Sequence, residues 1–481
     1  MIKQRKYDLV IIGYGAAGFA AAIKASEITE GNAKIALIGK GNIGGTCVSV
    51  GCVPSKYLLE ISHKYFYSNK LPGMYIVSKR LNFEEIMKGV KKLVEDLRRE
   101  KYEKVIESYN NVDLIKGEAT FTSSNTIEVK TEEGKIEVEG DKFIIATGSR
   151  AIIPNIEGIN SVEVLTSDNV WEIRKLPYSL GVIGGGAIGL ELGQAFLHFG
   201  TKVSLVEILP RIAYTAEPEI SELLEKILKE EGMEIYTRVK SIKIKEKKIE
   251  VSLHEKKKEI EVEQILVATG RRPNTDSLNL EKAMVKTDKR GFIITDSNLR
   301  TSNPNIFAAG DVIKKKLMLE TLAAREGVIA AINAFGGKET IDYTYVPWAI
   351  FTYPQIASVG YLEEEYVKKT GACSCRIISL EDIPKGKMLK EEGLIKIIID
   401  PNTDKIVGVH ALSPFATEFI IEGVLAIKYG LTIWDIIDTI HVFPTLSEGL
   451  KLASQSFIRD ISKMSCCVEL ITGLISEIIQ K

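Results

Sequence analysis

The first half of the chain alternates short, continuously apolar runs with segments whose apolar residues repeat at helical spacing. Residues 7–12 and 34–38 are apolar runs of strand length, and an alanine-rich segment separates them. The same order returns at 180–183 and 202–206. Continuous apolar runs are typical of strands buried on both faces of a parallel sheet. The pattern therefore predicts two α/β units of the doubly wound type.

The pattern changes near residue 343, where prolines, alternating strand-like segments and amphipathic helices indicate a separate α+β domain. Between the first two strands and the second unit, residues 83–110 form an amphipathic segment that predicts one long scaffold helix. The predicted domain limits are 1–150 and 276–342 for the first unit, 151–275 for the second and 343–481 for the last.

Composition narrows the possible functions. The 481 residues carry a net charge of −1, which gives no general attraction to nucleic acid or to an anionic membrane. No apolar run is long enough to span a membrane, and Asp8 and the glycines after it indicate a strand and loop instead of a signal peptide. We therefore expect a cytoplasmic protein with no membrane or nucleic-acid partner, in which paired cysteines indicate redox or metal chemistry.

Each α/β unit opens with a glycine-rich loop between its first strand and its first helix. In such loops the glycines permit a tight turn, close approach of a pyrophosphate and helix–strand packing, and the helix N-terminus favours the anion. Each unit closes with Ala-Thr-Gly. Two such units predict two dinucleotides, a nicotinamide and a flavin. The predicted cofactor-binding residues are Gly13, Gly15, Gly18, Thr147 and Gly148 in the first unit, and Gly184, Gly186, Gly189 and Gly270 in the second.

The residue after the second strand differs between the two units. Glu207 occupies it in the second unit, where a carboxylate accepts hydrogen bonds from a ribose 2′-OH and repels a 2′-phosphate. This favours NADH, and NADPH stays possible because Arg211 lies four residues further on. The first unit has Gly39 at the same place, so its usual ribose acid is missing. Asp311 follows an apolar run and is expected near the ribityl or phosphate part of a flavin.

Cys47 and Cys52 lie five residues apart in a segment rich in glycine. Positions i and i+5 are more than one turn apart on a helix, so their sulfur atoms meet only if the helix is locally distorted. Two buried, inert cysteines and a metal site are the alternatives, although a metal would need further ligands nearby. With a flavin as electron donor, a redox-active pair is the favoured interpretation.

Two other cysteine pairs follow. Cys373 and Cys375 would face the same side of a strand, but no neighbouring His or Cys in the sequence completes a site, so we expect no function for them. Cys466 and Cys467 are adjacent. Because soft thiolates select soft metal ions, this pair predicts a binding site for a soft, thiophilic ion, with functionless tail cysteines as the alternative.

The order of these motifs resembles that of the FAD-dependent pyridine nucleotide–disulfide oxidoreductases along essentially the whole chain. The resemblance implies an FAD domain, an inserted NAD(P) domain and a C-terminal dimerisation domain, with an active site shared by the two subunits of a homodimer. It also implies a redox-active cysteine pair and a lysine–glutamate ion pair beside the flavin. The residues that it places there are Gly45, Thr46, Cys47, Cys52, Lys56 and Glu191.

Within that family, residues 351–360, 448–457 and 465–467 resemble the members that reduce Hg(II). The resemblance implies that Cys466 and Cys467 take Hg(II) from thiol complexes and pass it to the inner cysteine pair of the other subunit. NADH, through FAD, would then reduce the ion.

Phe443 gives a separate argument about the substrate. Disulfide reductases of the family have a histidine at this place, which handles the proton of the substrate thiol, and losing such an acid–base group costs roughly 10²–10⁴-fold in rate. Reduction of Hg(II) held by two thiolates needs no such proton. His441, two residues away, could replace the histidine, so a dihydrolipoamide dehydrogenase-like disulfide reductase is the alternative. A metal-binding or redox-sensing flavoprotein without turnover is a further one.

Overall fold

The structure is a computed structural model and describes residues 3–68, 80–253 and 256–460. Cys466 and Cys467 therefore lie outside the described residues. Within these ranges no helix is both long enough and apolar enough to cross a lipid bilayer.

The N-terminal unit contains a large sheet covered by helices, together with the short strand β7 (Ser149–Ala151), which lies outside that sheet. Its strands are β1 (Lys3–Ile12), β2 (Ile35–Gly39), β3 (Val112–Lys116), β4 (Glu118–Phe121), β5 (Thr126–Thr131), β6 (Gly134–Ile145) and β7 (Ser149–Ala151). Its helices are α1 (Ala16–Ile28), α2 (Gly45–Ser49), α3 (Cys52–Tyr67), α4 (Phe83–Arg98) and α5 (Lys104–Glu107).

β1 lies inside this sheet, parallel to both β2 and β6. Its apolar residues 9–12 are almost completely buried, as their continuous run predicted. The strand begins earlier than its apolar run, at Lys3, because residues 3–7 also pair with β6. β3 extends the sheet beyond β2, and β5 and β4 extend it antiparallel beyond β6.

The long helix predicted over residues 83–110 forms, but it contains a π-helical turn and ends at Glu107. α4 ends at Arg98, a π-helical turn follows at Arg99–Glu103, and α5 completes the segment. A π turn inserts an extra residue into the helical repeat and so redirects the side chains after it. The ring of Tyr102, within this turn, packs edge-on against Phe19 at a centroid distance of 4.9 Å.

The second unit contains a four-stranded parallel sheet, in the order β10-β9-β8-β14, and a three-stranded antiparallel sheet. A short pairing of β15 with β7 joins it to the first unit. The strands are β8 (Ser179–Ile183), β9 (Lys202–Val206), β10 (Glu234–Tyr236), β11 (Ser241–Lys245), β12 (Lys248–Leu253), β13 (Lys256–Glu261), β14 (Gln264–Val267) and β15 (Arg271–Pro273), and the helices are α6 (Ala187–His198) and α7 (Pro218–Glu230).

After the second unit the chain returns to the first sheet, where β16 (Ile306–Ala308) pairs with β6 in parallel and α8 (Glu320–Ala334) follows. The C-terminal unit is a five-stranded antiparallel sheet, in the order β17-β18-β21-β20-β19, with helices beside it. Its strands and helices are β17 (Trp348–Ile350), β18 (Gln355–Gly360), α9 (Glu363–Thr370), β19 (Ser374–Ser379), α10 (Pro384–Leu389), β20 (Leu394–Ile399), β21 (Ile406–Ser413), α11 (Ala416–Tyr429), α12 (Ile433–Asp438) and α13 (Glu448–Gln455).

This arrangement confirms the predicted fold class. Two α/β units each carry a parallel sheet and a glycine-rich loop, and an α+β unit follows them. The buried apolar residues form separate clusters in the first sheet and in the C-terminal sheet. A further cluster joins α3 and α4 to α6, so the helix that starts at Cys52 packs on the second unit.

Candidate active site

Cys47 and Cys52 lie on either side of a break between two helices. α2 ends at Ser49, and α3 begins at Cys52 with Gly51 as its N-cap residue. A Cβ atom at Gly51 would lie 2.8 Å from the carbonyl oxygen of Thr46, so the break requires glycine there. The two thiols are half-buried and in hydrogen-bond contact. The expected local distortion of the helix thus brings the two sulfur atoms together.

The surroundings of the pair assign the charge to one sulfur atom. The hydrogen bond from the Cys47 thiol and the nearby Lys56 ammonium lower the pKa of Cys52. The start of α3, where N–H groups point outward, also favours an anion at Cys52. The same hydrogen bond, together with burial, raises the pKa of Cys47. In the reduced pair these surroundings therefore favour the thiolate at Cys52 and the protonated thiol at Cys47.

Lys56 and Glu191 form the predicted ion pair. The Lys56 Nζ lies 2.7 Å from Glu191 Oε2, although the two residues belong to different α/β units. Glu191 is buried, and its Oε1 accepts a hydrogen bond of 2.9 Å from the backbone N–H of Phe351 in the C-terminal unit. The Lys56 Nζ also lies 4.5 Å from the centroid of the Phe351 ring. All three units therefore meet one helical turn from Cys52.

The two glycine-rich loops have matching backbone conformations. Gly13 and Gly184 each have φ +112°, and a Cβ atom would lie 2.2 Å or 2.4 Å from the carbonyl oxygen that follows the neighbouring strand. The helices after the loops, α1 and α6, have Gly15 and Gly186 as N-caps and no side-chain cap. Their first N–H groups are thus available to a phosphate, which fits the predicted dinucleotides.

The first loop opens into a cavity of about 660 Å³. Gly45 lies directly opposite Gly15, where a Cβ atom at Gly45 would approach the Gly15 Cα to 2.6 Å. This close approach leaves an elongated cradle beside a bare helix N-terminus, and the residues present fit the diphosphate and adenosine parts of FAD. The predicted residues that line the cavity are Gly13, Gly15, Gly45, Thr46, Thr147 and Gly148.

Other predicted cofactor residues shape the walls of the site. Thr147 Oγ1 donates a hydrogen bond of 2.8 Å to the carbonyl oxygen of Asn274, which ties the end of β6 to the second unit. Asp311 accepts a hydrogen bond of 3.0 Å from the Ser149 hydroxyl, which itself lines the cavity. Gly270 has φ +122° and accepts a backbone hydrogen bond from Ile152 at 3.0 Å. Gly18 and Gly189 lie one turn into α1 and α6, against the first glycine of their loops.

The structure explains why Gly39 replaces an acid in the first unit. A Cβ atom at Gly39 would lie 2.2 Å from the Tyr14 ring, which is buried and donates from its hydroxyl to the carbonyl oxygen of Gly41 at 2.7 Å. In the second unit, Gly185 stands where Tyr14 stands in the first. Its N–H donates to Glu207 Oε2 at 2.7 Å. In each unit, one of these two positions therefore carries a large side chain and the other carries glycine. Sequence reasoning did not predict this exchange.

The remaining predicted residues lie apart from the Cys47–Cys52 pair or outside the described ranges. The side chain of His441 contacts Glu422 Oε1 at 2.9 Å through Nε2 and the carbonyl oxygen of Thr439 at 3.0 Å through Nδ1. Phe443 is exposed in the single chain. Glu448 is buried, and its Oε2 has no hydrogen-bond partner among the residues that the structure describes. Cys466 and Cys467 lie beyond residue 460.

Comparisons with known proteins agree with this arrangement. Residues 7–327 match the family model of the pyridine nucleotide-disulphide oxidoreductases, and residues 346–454 match the dimerisation domain of these enzymes. The chain is 40% identical to the mercuric reductase of Staphylococcus aureus, covering 96% of this chain and 84% of that protein. It is 39% identical to the mercuric reductase of Bacillus cereus, covering 96% of this chain and 73% of that protein.

Among solved structures, the chain is similar to the Cu(II) complex of the HOCl-induced flavoprotein disulfide reductase RclA from Escherichia coli. The TM-score is 0.83 at 27% sequence identity, and the match covers 95% of this chain and all of the other.

Proposed function

The chain belongs to the pyridine nucleotide-disulphide oxidoreductase family, and we propose that it reduces Hg(II) to Hg(0) with NAD(P)H, using FAD and the Cys47–Cys52 pair. As a member of this family it is an NAD(P)H-dependent flavoprotein oxidoreductase with a dimerisation domain, and forms a homodimer. One observation carries the proposal. Cys52, whose pKa is lowered, and Cys47 form a half-buried pair of sulfur ligands. Two such sulfur atoms are the ligand set that a soft two-coordinate cation prefers.

The mechanism begins with the chain's own residues. Hg(II) bonds to the Cys52 sulfur as it arrives, and then to the Cys47 sulfur, which loses its proton to solvent or to the departing thiol ligand. Lys56 lies beside Cys52 and balances the thiolate charge while the metal approaches. Glu191 holds Lys56 in place through their ion pair of 2.7 Å.

FAD, held by Gly13, Gly15, Gly45 and Thr46, would supply the electron pair that comes from the nicotinamide. In the net reaction NAD(P)H and Hg(II) give NAD(P)⁺, Hg(0) and one proton. Both sulfur–mercury bonds break as the ion gains two electrons, because neutral mercury has little affinity for thiolate. The Cys47 sulfur takes up a proton again, and Cys52 returns to the thiolate that Lys56 stabilises.

We further propose that Cys466 and Cys467 collect Hg(II) from thiol complexes and transfer it to the inner pair. The support is chemical, since adjacent thiols exchange a soft cation with other thiols readily. For the nicotinamide we propose NADH, with NADPH possible, on the basis of Glu207. A cytoplasmic location suits a reaction that depends on reduced thiols.

The alternative, disulfide reduction with His441 as acid–base, has less support. Both ring nitrogen atoms of His441 are engaged within the chain, by Glu422 and by the carbonyl oxygen of Thr439. The contact with Glu422 raises the pKa of His441. The side chain that stands in the place of the usual histidine is Phe443, which has no group that can donate or accept a proton.

The test is to follow the oxidation of NADH, and of NADPH in parallel, with Hg(II) in excess thiol, with lipoamide, and with neither. We expect steady oxidation with Hg(II) and little with lipoamide. The acid–base group that is missing here speeds disulfide reduction by roughly 10²–10⁴-fold. Equal turnover of lipoamide would overturn the proposal. Tight binding of Hg(II) without steady oxidation would instead indicate a metal-binding or sensing flavoprotein.

A further inference from the structure

The adenosine end of the first unit lacks the carboxylate that this fold normally aims at a ribose. Gly39 ends β2 at that position, and the Tyr14 ring fills the space beside it. Ribose hydroxyl groups left without acceptors in a bound dinucleotide would cost affinity. If FAD binds here, as the proposed function requires, another group must accept these hydrogen bonds.

Glu118 is a carboxylate whose preceding residue is hydrogen-bonded to Gly39. It begins β4, and the N–H of the preceding Gly117 donates to the carbonyl oxygen of Gly39 at 2.8 Å. Gly39 and Glu118 both line the cavity of about 660 Å³. The acid that β2 does not supply is therefore present in the same cavity, at the start of β4 and next to the residue that is hydrogen-bonded to Gly39.

Lys40 orients this carboxylate. Its Nζ lies 3.0 Å from Glu118 Oε2, and the pair lines the same cavity. Lys40 lowers the pKa of Glu118, so the carboxylate is ionised at neutral pH. An ionised carboxylate has about four acceptor positions. Lys40 and Ser277 use two of them, which leaves two for the hydroxyl groups of a ribose.

The other acidic side chains of the cavity already have partners. Asp276 pairs with Arg150 and with Arg272, the latter at 2.9 Å. Asp168 accepts a hydrogen bond of 3.4 Å from the backbone N–H of Ala151. Neither is joined to Gly39 through the backbone, as Glu118 is.

We propose that Glu118, held by Lys40, binds the adenosine ribose hydroxyl groups of FAD in place of the acid absent at Gly39. The arrangement also predicts that restoring the acid alone fails. In the variant Gly39→Glu the new Cβ would lie 2.2 Å from the Tyr14 ring and would displace it. The pair of changes Tyr14→Gly and Gly39→Glu would instead reproduce the geometry of Gly185 and Glu207.

The test measures FAD affinity directly. FAD is removed from the full-length protein, and its dissociation constant is determined by flavin fluorescence during reconstitution, for FAD and for an analogue whose adenosine lacks both ribose hydroxyl groups. We expect Glu118→Ala to weaken FAD binding roughly tenfold to hundredfold, because hydrogen bonds to a charged acceptor are lost. We expect this variant to bind FAD and the analogue alike, whereas the wild type prefers FAD.

Glu132→Ala is the matched control, since Glu132 is an exposed carboxylate of the same unit that pairs weakly with Lys116 at 3.8 Å and does not line the cavity. Its FAD affinity should equal that of the wild type. The inference is overturned if Glu118→Ala keeps the wild-type affinity or keeps the preference for FAD over the analogue. Failure of the wild type to bind FAD at all would instead remove the proposed function.

Discussion

Two cysteine pairs of this chain lie in opposite electrostatic surroundings. Cys52 begins a helix and has the Lys56 ammonium near it, and its pKa is lowered. Cys375 lies in β19 beside the Glu363 carboxylate, and burial together with that carboxylate raises its pKa to about 11. Both sites place two thiols near a lysine and glutamates. Burial and the neighbouring carboxylate disfavour a thiolate at Cys375, whereas the hydrogen bond from Cys47 and the Lys56 ammonium favour one at Cys52.

Besides burial, the carboxylates around a buried lysine act on the second pair. Lys396 is fully buried, and its Nζ lies 2.9, 2.9 and 2.7 Å from carboxylate oxygens of Glu217, Glu219 and Glu363. Three carboxylates around one ammonium leave a negative excess, so a neighbouring thiolate is disfavoured. Lys56 faces one carboxylate only among the described residues, and that ion pair is neutral. The prediction that Cys373 and Cys375 have no function thus has a physical reason, because the pKa of both thiols is raised.

The largest expected effect separates the two pairs by activity. We expect Cys47→Ser or Cys52→Ser to reduce Hg(II)-dependent NADH oxidation to background, because a hydroxyl is a poor ligand for a soft cation. We expect Cys373→Ser and Cys375→Ser to keep wild-type rates. Steady-state assays with thiol-complexed Hg(II) check both. Loss of activity in the Cys375→Ser variant, with an unchanged melting temperature, would show that the second pair is also needed and would contradict the distinction between the two pairs.

A smaller effect should follow from removing the cation beside Cys52. In Lys56→Gln the thiolate loses its ammonium and keeps the Glu191 carboxylate, so the pKa of Cys52 rises. Its alkylation rate at pH 7 should fall roughly tenfold or more, and the whole pH profile should move to higher pH. Alkylation of the reduced protein, followed by mass spectrometry of the Cys52 peptide, gives the profile. Lys56→Arg, which keeps the charge, is the control, and equal profiles for all three proteins would contradict the assignment.

The smallest effect concerns the second pair. Glu363→Gln removes one of the three carboxylates and leaves Lys396 bound to Glu217 and Glu219, so the pKa of Cys375 should fall. Below its pKa, the ionised fraction of a thiol rises tenfold for each unit by which the pKa falls. We therefore expect alkylation of Cys375 at pH 8 to become roughly threefold to tenfold faster. The control Glu364→Gln, which changes an exposed neighbour, should leave the alkylation rate of Cys375 unchanged. Slower alkylation in Glu363→Gln would contradict the conclusion that Glu363 raises the pKa of Cys375.

Local patterns predicted much of the fold. The apolar runs predicted β1 and β2, and the glycine spacing predicted loops that the structure forms at Gly13 and Gly184. The apolar repeat also predicted the long helix over residues 83–110, but it does not reveal the π turn that packs Tyr102 against Phe19. The Lys56–Glu191 contact was predicted only through the family resemblance, since 135 positions separate the two residues.

The sequence by itself determined the order of strands, loops and helices, the positions that require glycine, and the presence of a cysteine pair beside a predicted flavin. These features depend on backbone sterics and on the period of apolar residues, which act over a few neighbouring positions. Only the tertiary structure decided which thiol has a lowered pKa and where Glu118 lies relative to Gly39. It also decided that Tyr14 and Gly39 in the first unit correspond to Gly185 and Glu207 in the second. These depend on burial and on distances through space between residues far apart in the chain, and a linear pattern contains neither.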